Sequence, residues 1–156
     1  MEKLQYLGAQ NAGYLGRHIL AEFFGCNPNV LNNVELIQEK MTQAAIECGA
    51  TVVQTCFHMF NPYGVSGVVI ISESHLAIHT WPELGYAAVD LFTCGEHCDP
   101  KVAYDFLKKA FDSKSGSFSQ LKRGILTEDH NHLMTVPFKV EQQKIENSTE
   151  TLEQQI

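Results

Sequence analysis

The sequence predicts an α+β fold, a two-layer sandwich in which helices cover one face of a mainly antiparallel sheet. Residues 33–48 and 100–112 each carry apolar side chains at helical spacing. Short apolar runs rich in β-branched residues lie between and around these two segments, separated by turns, as is typical of neighbouring strands. Helices grouped against such strands bury one face of the sheet, which is the two-layer arrangement.

The expected elements follow from this patterning in chain order. They are a strand at 17–25, a helix at 33–48, strands at 51–60, 65–72, 75–81 and 86–94, a helix at 100–112 and a strand at 116–126. Gly49 stands where the first helix should stop. The Asn61-Pro62-Tyr63-Gly64 and Pro82-Glu83-Leu84-Gly85 runs are typical of turns between strands.

The run 75–81 alternates cleanly, which indicates a strand with two unlike faces. Leu76, Ile78 and Thr80 should point one way, and the intervening residues, which include His75 and His79, should point the other. The second helix should bury one apolar stripe, composed of Val102, Ala103, Phe106, Leu107, Ala110 and Phe111.

The domain organisation is expected to be simple, because 156 residues suffice for one domain with a substantial core. Residues 1–16 lack periodicity and are interpreted as a flexible N-terminal extension. Residues 17–138 form the single predicted domain. Residues 139–156 are rich in Gln and Glu and are expected to be a disordered tail.

Composition excludes several classes of partner. The formal net charge of −7 argues against nucleic acid or an anionic membrane as the main partner. No apolar run is long enough to span a membrane, and the N-terminus lacks the layout of a secretory signal. The five cysteines have no regular spacing, so a disulfide framework is not expected and a cytoplasmic location is.

Polar and reactive side chains are unusually dense between residues 66 and 98. This stretch holds three histidines, two cysteines and three serines around consecutive apolar strands. Burying a polar group without a hydrogen bond costs roughly 1–3 kcal/mol. A sequence that gathers so many of them is therefore expected to use them in chemistry.

The motifs of this stretch resemble those of a known family. They are Ser66, Glu73-Ser74-His75, His79-Thr80-Trp81-Pro82-Glu83 and Phe92-Thr93-Cys94-Gly95, preceded by Arg17-His18-Ile19-Leu20-Ala21-Glu22-Phe23. The pattern is similar to the short prokaryotic S-adenosylmethionine decarboxylases, which are pyruvoyl enzymes made as proenzymes. The resemblance covers roughly residues 17–113.

The resemblance implies self-cleavage between Glu73 and Ser74. The Ser74 hydroxyl would attack the preceding carbonyl, and the resulting ester would eliminate to leave an N-terminal pyruvoyl group, the covalent cofactor. The products would be a β chain of residues 1–73 and an α chain of residues 74–156. His79 is implied as the proton acceptor and Ser66 as its companion in processing. A histidine suits this task because its pKa lies near neutral pH.

The resemblance also implies the catalytic step. The substrate S-adenosylmethionine would form a Schiff base with the pyruvoyl group, which is an electron sink for decarboxylation. Cys94 is implied as the donor that returns a proton to the substrate. The product would be the aminopropyl donor for spermidine synthesis.

Substrate binding is expected to involve Phe60, Trp81 and Glu83. Aromatic faces attract a sulfonium cation, and a carboxylate can accept hydrogen bonds from ribose hydroxyls. Trp81 also precedes a proline and suits a structural role in a turn. The family places its site at a dimer interface, so a homo-oligomer, a dimer of αβ protomers, is implied.

Three other kinds of site share some of these residues. A decarboxylase of a basic amino acid, ornithine or arginine, would use the same pyruvoyl scaffold and is the alternative function. A Ser–His hydrolase would need a Gly-x-Ser-x-Gly elbow, which is missing around Ser74. A zinc site built on Cys94, His97 and Cys98 lacks the usual paired ligands, so no metal is expected.

Overall fold

A computed structural model describes residues 13–72 and 74–146 and confirms the α+β class. Its seven strands form one sheet in the order β2-β3-β4-β5-β1-β6-β7, with antiparallel neighbours throughout. The strands are β1 (Tyr14–Phe24), β2 (Val52–Met59), β3 (Val65–Ile71), β4 (Ser74–Trp81), β5 (Tyr86–Cys94), β6 (Ser115–Ile125) and β7 (Lys139–Glu146). The helices are α1 (Pro28–Leu31), α2 (Val34–Glu47) and α3 (Pro100–Ala110).

Helix α2 begins and ends where its sequence indicates. The Asn33 side chain caps its N-terminus by accepting a hydrogen bond from the Leu36 amide at 3.0 Å. At its C-terminus, Gly49 has a φ of +94°, and a Cβ built there would lie 2.6 Å from the carbonyl oxygen of His97. Glycine is therefore required at this position, both by the backbone conformation and by the close approach of the segment that follows β5.

Helix α3 corrects part of the predicted apolar stripe. Asp99 caps its N-terminus by accepting from the Lys101 amide at 3.0 Å. Val102, expected in the stripe, is 42% exposed, whereas Tyr104 is fully buried. The Tyr104 ring stacks on Phe23 of β1 at 5.1 Å between ring centroids. The helix is therefore rotated toward the aromatic residue, whose large apolar ring makes it the better core side chain despite its hydroxyl.

The two faces of the sheet differ in what covers them. Helices α2 and α3 pack on one face, where the alternating Leu76, Ile78 and Thr80 of β4 are buried as predicted. We call the opposite side the open face. It leaves several large apolar side chains between 39% and 43% exposed, namely Leu20, Phe24, Ile70 and Trp81.

The expectation of a disordered tail from residue 139 is wrong for residues 139–146. These residues form β7, which pairs along β6 from Gly116↔Glu146 to Lys122↔Lys139. Glu146 fixes the end of the strand, because its carboxylate accepts from Lys108 of α3 at 2.9 Å. The predicted domain boundaries at 17 and 138 therefore lie inside β1 and just before β7. Residues 1–12 and 147–156 of the two predicted terminal segments lie outside the described residues.

Candidate active site

A hydrogen-bonded serine and histidine lie on the open face, where β3 and β4 pair. The register places Ser66 directly opposite His79. The Ser66 Oγ lies 2.7 Å from the His79 Nδ1. Neighbours across antiparallel strands share a face, so the sheet itself holds the two side chains together. The pair can relay a proton between hydroxyl and imidazole.

The three predicted substrate-binding residues lie at the same end of these strands. Trp81 ends β4, with its ring centroid 6.3 Å from that of His79. Glu83 follows in the 3₁₀ turn Pro82–Leu84 and is exposed. Phe60 follows β2, is 49% exposed and contacts the His58 ring edge-on at 4.7 Å. We call this region, with Ser66 and His79, the His79 end.

Ser74 and Cys94 lie at the opposite end of the same strands. Ser74 is the first residue of β4 and pairs with Ile71, the last residue of β3. His75 pairs with Phe92, so the start of β4 and the end of β5 lie side by side at the same end of the sheet. We call this region the Ser74 end. Glu73, the predicted cleavage-site residue, lies outside the described residues.

A glycine makes room for the cysteine at the Ser74 end. Cys94 is half-buried and pairs with Gly16 of β1. A Cβ at Gly16 would lie 3.1 Å from the Cys94 Sγ and 2.7 Å from the Phe92 ring. Any other residue at position 16 would therefore crowd the thiol.

The two ends are well separated within one chain. His79 follows Ser74 by five residues on a continuous strand. A strand rises about 3.3 Å per residue, which puts their α-carbons about 16 Å apart. The predicted proton acceptor therefore does not reach the serine of its own chain.

A further polar cluster near the Ser74 end escaped the sequence-based reasoning. His18 of β1 stacks on Phe92 with a centroid distance of 4.9 Å, and its Nδ1 lies 3.0 Å from the Arg123 Nη1. Guanidinium nitrogens only donate, so Nδ1 accepts and the imidazole is neutral. Burial, the largest effect, lowers the pKa of His18, and Arg123 and His75 act in the same direction against Asp90.

The His18 Nε2 is buried and has no hydrogen-bond partner among the described residues. The only sequence signal for it was its place in the Arg17-His18 motif that opens the resemblance. Its contacts depend on β1 lying between β5 and β6, and that strand order is not readable from the sequence.

A tyrosine and a glutamate occupy the open face at the His79 end, where Tyr86 pairs with Trp81. The Tyr86 hydroxyl donates a hydrogen bond to the Glu22 carboxylate. Burial, together with this carboxylate, raises the pKa of Tyr86 to about 12. The phenol therefore stays protonated at neutral pH. Its ring stacks on Phe24 at 5.6 Å, which makes a rigid aromatic surface next to Trp81.

Neither a metal centre nor a membrane-spanning helix is seen in the described ranges. Within residues 13–72 and 74–146, no group of three or more His, Cys, Asp or Glu side chains is arranged to hold a metal ion. Across the same ranges, no helix is both long and apolar enough to cross a membrane.

Known proteins resemble this chain over most of its length. The family model described as S-adenosylmethionine decarboxylase matches residues 17–124. An S-adenosylmethionine decarboxylase proenzyme of Thermotoga petrophila is 57% identical over 127 residues, which span 78% of this chain and 98% of the relative. The proenzyme of Thermosipho melanesiensis is 64% identical over 100 residues, which span 64% of this chain and 77% of that protein.

A solved structure agrees with the sequence relatives. The crystal structure of the adenosylmethionine decarboxylase of Aquifex aeolicus is 35% identical, with a TM-score of 0.70, over 76% of this chain and 98% of that one. None of these proteins is named for a basic amino acid, so they give no support to that alternative substrate. The resemblance read from the motifs is confirmed: this chain belongs to the S-adenosylmethionine decarboxylase family.

Proposed function

We propose that this chain is the proenzyme of an S-adenosylmethionine decarboxylase that cleaves itself between Glu73 and Ser74. Family membership supplies the activity, loss of carbon dioxide from S-adenosylmethionine to give the aminopropyl donor for spermidine synthesis. The roles given below to individual residues of this chain are our proposal. The observation that carries it is the 2.7 Å contact between Ser66 and His79, a proton relay built into the sheet.

The self-cleavage uses only groups of the chain and water. The Ser74 Oγ attacks the Glu73 carbonyl carbon and replaces the peptide C–N bond by an ester. A base then removes the Ser74 α-proton. The new C-terminal carboxylate of Glu73 leaves as the Cα=Cβ double bond forms, which gives dehydroalanine at residue 74. Dehydroalanine tautomerises to an imine, and hydrolysis of the imine releases ammonia and leaves a ketone at residue 74. His79 is the proposed base, and Ser66 holds its imidazole in place through Nδ1.

The Ser74 end suits the pyruvoyl group. Ser74 directly follows the turn between β3 and β4, Cys94 lies at the same edge, and Gly16 leaves space beside the thiol. When formed, the group supplies an electron sink for decarboxylation. Cys94 then returns a proton to the substrate α-carbon, acting as the general acid of the reaction.

The separation of the two ends indicates that two copies build each site. His79 and Ser74 of one chain are about 16 Å apart along β4, so His79 of the partner subunit is the proposed base for each Ser74. A two-fold axis through the open face would bring the His79 end of one copy against the Ser74 end of the other. The exposed apolar side chains of that face favour such burial. We therefore propose a homodimer of αβ protomers.

Substrate binding is proposed at the His79 end. The exposed rings of Phe60 and Trp81 offer faces for adenine and for the sulfonium cation. The exposed Glu83 carboxylate is free of any ion pair among the described residues and can accept from both ribose hydroxyls. A cytoplasmic location is part of the proposal, supported by cysteines that are thiols in the structure.

Intact-mass spectrometry of the purified protein tests the proposal. We expect two chains, residues 1–73 and 74–156, the second with a ketone in place of its terminal amine. Borohydride added with S-adenosylmethionine should fix the substrate to the second chain only. The Ser74→Ala variant should give one uncut chain. A wild-type protein that stays intact after prolonged incubation would contradict the proposal.

A further inference from the structure

Two buried cysteines outside the proposed chemistry contact each other. Cys48 caps the C-terminus of α2, and Cys98 lies between β5 and α3. They are 5% and 6% exposed, and both are thiols. The two thiols lie close enough to shift each other's pKa, and the Cys48 thiol donates to the carbonyl oxygen of Ala45 at 3.2 Å.

The backbone holds the two residues close together. The Asp99 amide donates to the Cys48 carbonyl oxygen at 3.2 Å, and Gly49 packs directly on the His97 carbonyl. Standard bond lengths then limit the separation of the Cys48 and Cys98 α-carbons to about 8 Å. Disulfides span α-carbon separations of about 4.4–6.8 Å. Closing a bond here therefore needs only a small movement of the loop.

We propose that Cys48 and Cys98 form a disulfide when the protein meets a hydroperoxide. In one respect the inference rests on the proposed function: after cleavage at 73/74, this bond would join the β chain to the α chain. The disulfide would join the two cleaved chains covalently. Without it, only non-covalent contacts would hold them together.

The chemistry balances with a hydroperoxide as the only co-reactant. The Cys48 thiolate attacks the O–O bond, which takes two electrons from sulfur, gives a sulfenic acid and releases water or an alcohol. The Cys98 sulfur then attacks the Cys48 sulfur. Hydroxide leaves and takes the Cys98 proton as water, so two thiols and one peroxide give one disulfide and two hydroxylic products.

The two thiols differ in a way that suits these roles. The hydrogen bond from Cys98, the largest effect, lowers the pKa of Cys48 against the cost of burial. The same bond and burial raise the pKa of Cys98. Cys48 is therefore the thiol that ionises first and attacks, and Cys98 is the one that resolves the sulfenic acid.

The link would also tie down the segment behind the proposed proton donor. Cys98 follows Cys94 by four residues, and its carbonyl oxygen accepts from the Arg17 guanidinium at 3.0 Å. In a reducing compartment such a bond forms only transiently, as cytosolic disulfides generally do. We therefore expect a Cys48–Cys98 disulfide that forms under peroxide stress and is removed by reduction.

Non-reducing electrophoresis of the mature enzyme tests for the Cys48–Cys98 disulfide. The test uses a Cys56→Ser background, because Cys56 is exposed and would cross-link molecules. After treatment with hydrogen peroxide we expect the two chains to migrate as one band, separated by dithiothreitol, and peptide mapping to join Cys48 to Cys98. Cys48→Ser and Cys98→Ser should each abolish the joined band. Cys26→Ser is the matched control, because Cys26 is equally buried and neither Cys48 nor Cys98 is among the groups that shift its pKa.

The uncut Ser74→Ala variant separates this inference from the proposed function. Its single chain should lose two hydrogen atoms on oxidation, with the same mapped bond. Chains that separate without reductant after peroxide treatment, or a map with Cys48 and Cys98 still reduced, would overturn the disulfide. A bond in Ser74→Ala together with a wild-type protein that never cleaves would support the disulfide and overturn the cleavage.

Discussion

The two ends of strand β4 carry the two halves of the proposed self-cleavage. At the His79 end, the imidazole is exposed on the open face and is oriented by a serine on the neighbouring strand. At the Ser74 end, the serine follows a turn, and a half-buried cysteine lies at the same edge of the sheet. The proposed base lies at one end, and the bond that it is proposed to help break lies at the other.

This difference explains why a small sheet would need a second copy of itself. A strand holds each end rigidly, at about 3.3 Å per residue, so it fixes their distance as firmly as it fixes their positions. A serine and a histidine whose α-carbons lie about 16 Å apart along a strand are too far apart to exchange a proton directly. In the proposed dimer, two copies packed antiparallel would bring Ser74 of one copy close to His79 of the partner subunit without any change of fold.

Loss of Ser74 should have the largest effect, because it removes the bond-breaking group. Ser74→Ala should stay a single chain with no decarboxylase activity, measured by intact mass and by release of labelled carbon dioxide. Its melting temperature should match that of an uncleaved wild-type sample, since Ser74 is only half-buried. Efficient processing of this variant would refute the mechanism.

Mixing variants tests directly whether the two ends belong to different copies. Ser74→Ala and His79→Ala should each fail to process alone. When they are co-expressed, the His79→Ala chain should be cut, because its Ser74 meets His79 of the partner subunit. Random pairing makes half the dimers mixed, each with one complete site, so about a quarter of all sites should work. Failure to cut any chain in verified mixed dimers would place both residues in one copy.

Cys94→Ala should separate processing from turnover at the Ser74 end. The chain should still be cut, because the proposed base lies at the His79 end. Turnover should fall about 100-fold or more, the usual contribution of a positioned proton donor. Cys26→Ala is the control, a buried thiol at the opposite end of β5 from Cys94, because the Cys26 amide donates to the carbonyl oxygen of Gly85 just before β5 begins. Full sustained turnover by Cys94→Ala would remove its role.

Ser66→Ala should have a smaller effect, confined to maturation. The variant loses one hydrogen bond to His79, worth about 1–1.5 kcal/mol, so self-cleavage should slow about tenfold. Turnover per matured site should change little. A time course of cleavage on gels measures the first, and activity normalised to matured chain measures the second. Ser117→Ala, on β6, is the matched control.

Local patterns predicted most of the sheet but not how its ends relate. The alternation in β4 and β5 and the helical repeat of α2 are local, and each element appears within a few residues of its expected limits. The distance between Ser74 and His79 also follows from the sequence, because a strand has a fixed rise per residue. The cluster around His18 was not, because it requires β1 between β5 and β6.

Strand β7 shows where local reasoning fails. Its sequence, KVEQQKIE, has little apolar alternation, and seven of its eight residues are exposed. It is a strand because β6 offers an edge for pairing and because Glu146 forms an ion pair with Lys108 of α3, and these contacts join residues far apart in the sequence. Composition alone cannot report such contacts.

Removing Glu146 should give the smallest effect and should leave both ends of β4 intact. The carboxylate accepts from Lys108 at 2.9 Å and from the Tyr104 hydroxyl at 3.3 Å. A hydrogen bond from Lys144, together with Lys108 and against the cost of burial, lowers the pKa of Glu146 from 4.5 to about 2. Since the pKa is lowered on folding, its contribution is complete above pH 4.5 and is lost as the pH falls toward 2.

Glu146→Gln should therefore lower the free energy of unfolding by about 1 kcal/mol at neutral pH, with the difference shrinking in acid. Thermal unfolding of uncleaved Ser74→Ala protein, measured across this pH range, tests the effect without interference from processing. Glu39→Gln is the control, because its carboxylate is 68% exposed and, within the part of the chain that the structure describes, its ion pair is with the adjacent Lys40. A pH-independent loss of stability would show that β7 is held by packing rather than by charge, and a change in cleavage rate would tie β7 to the site.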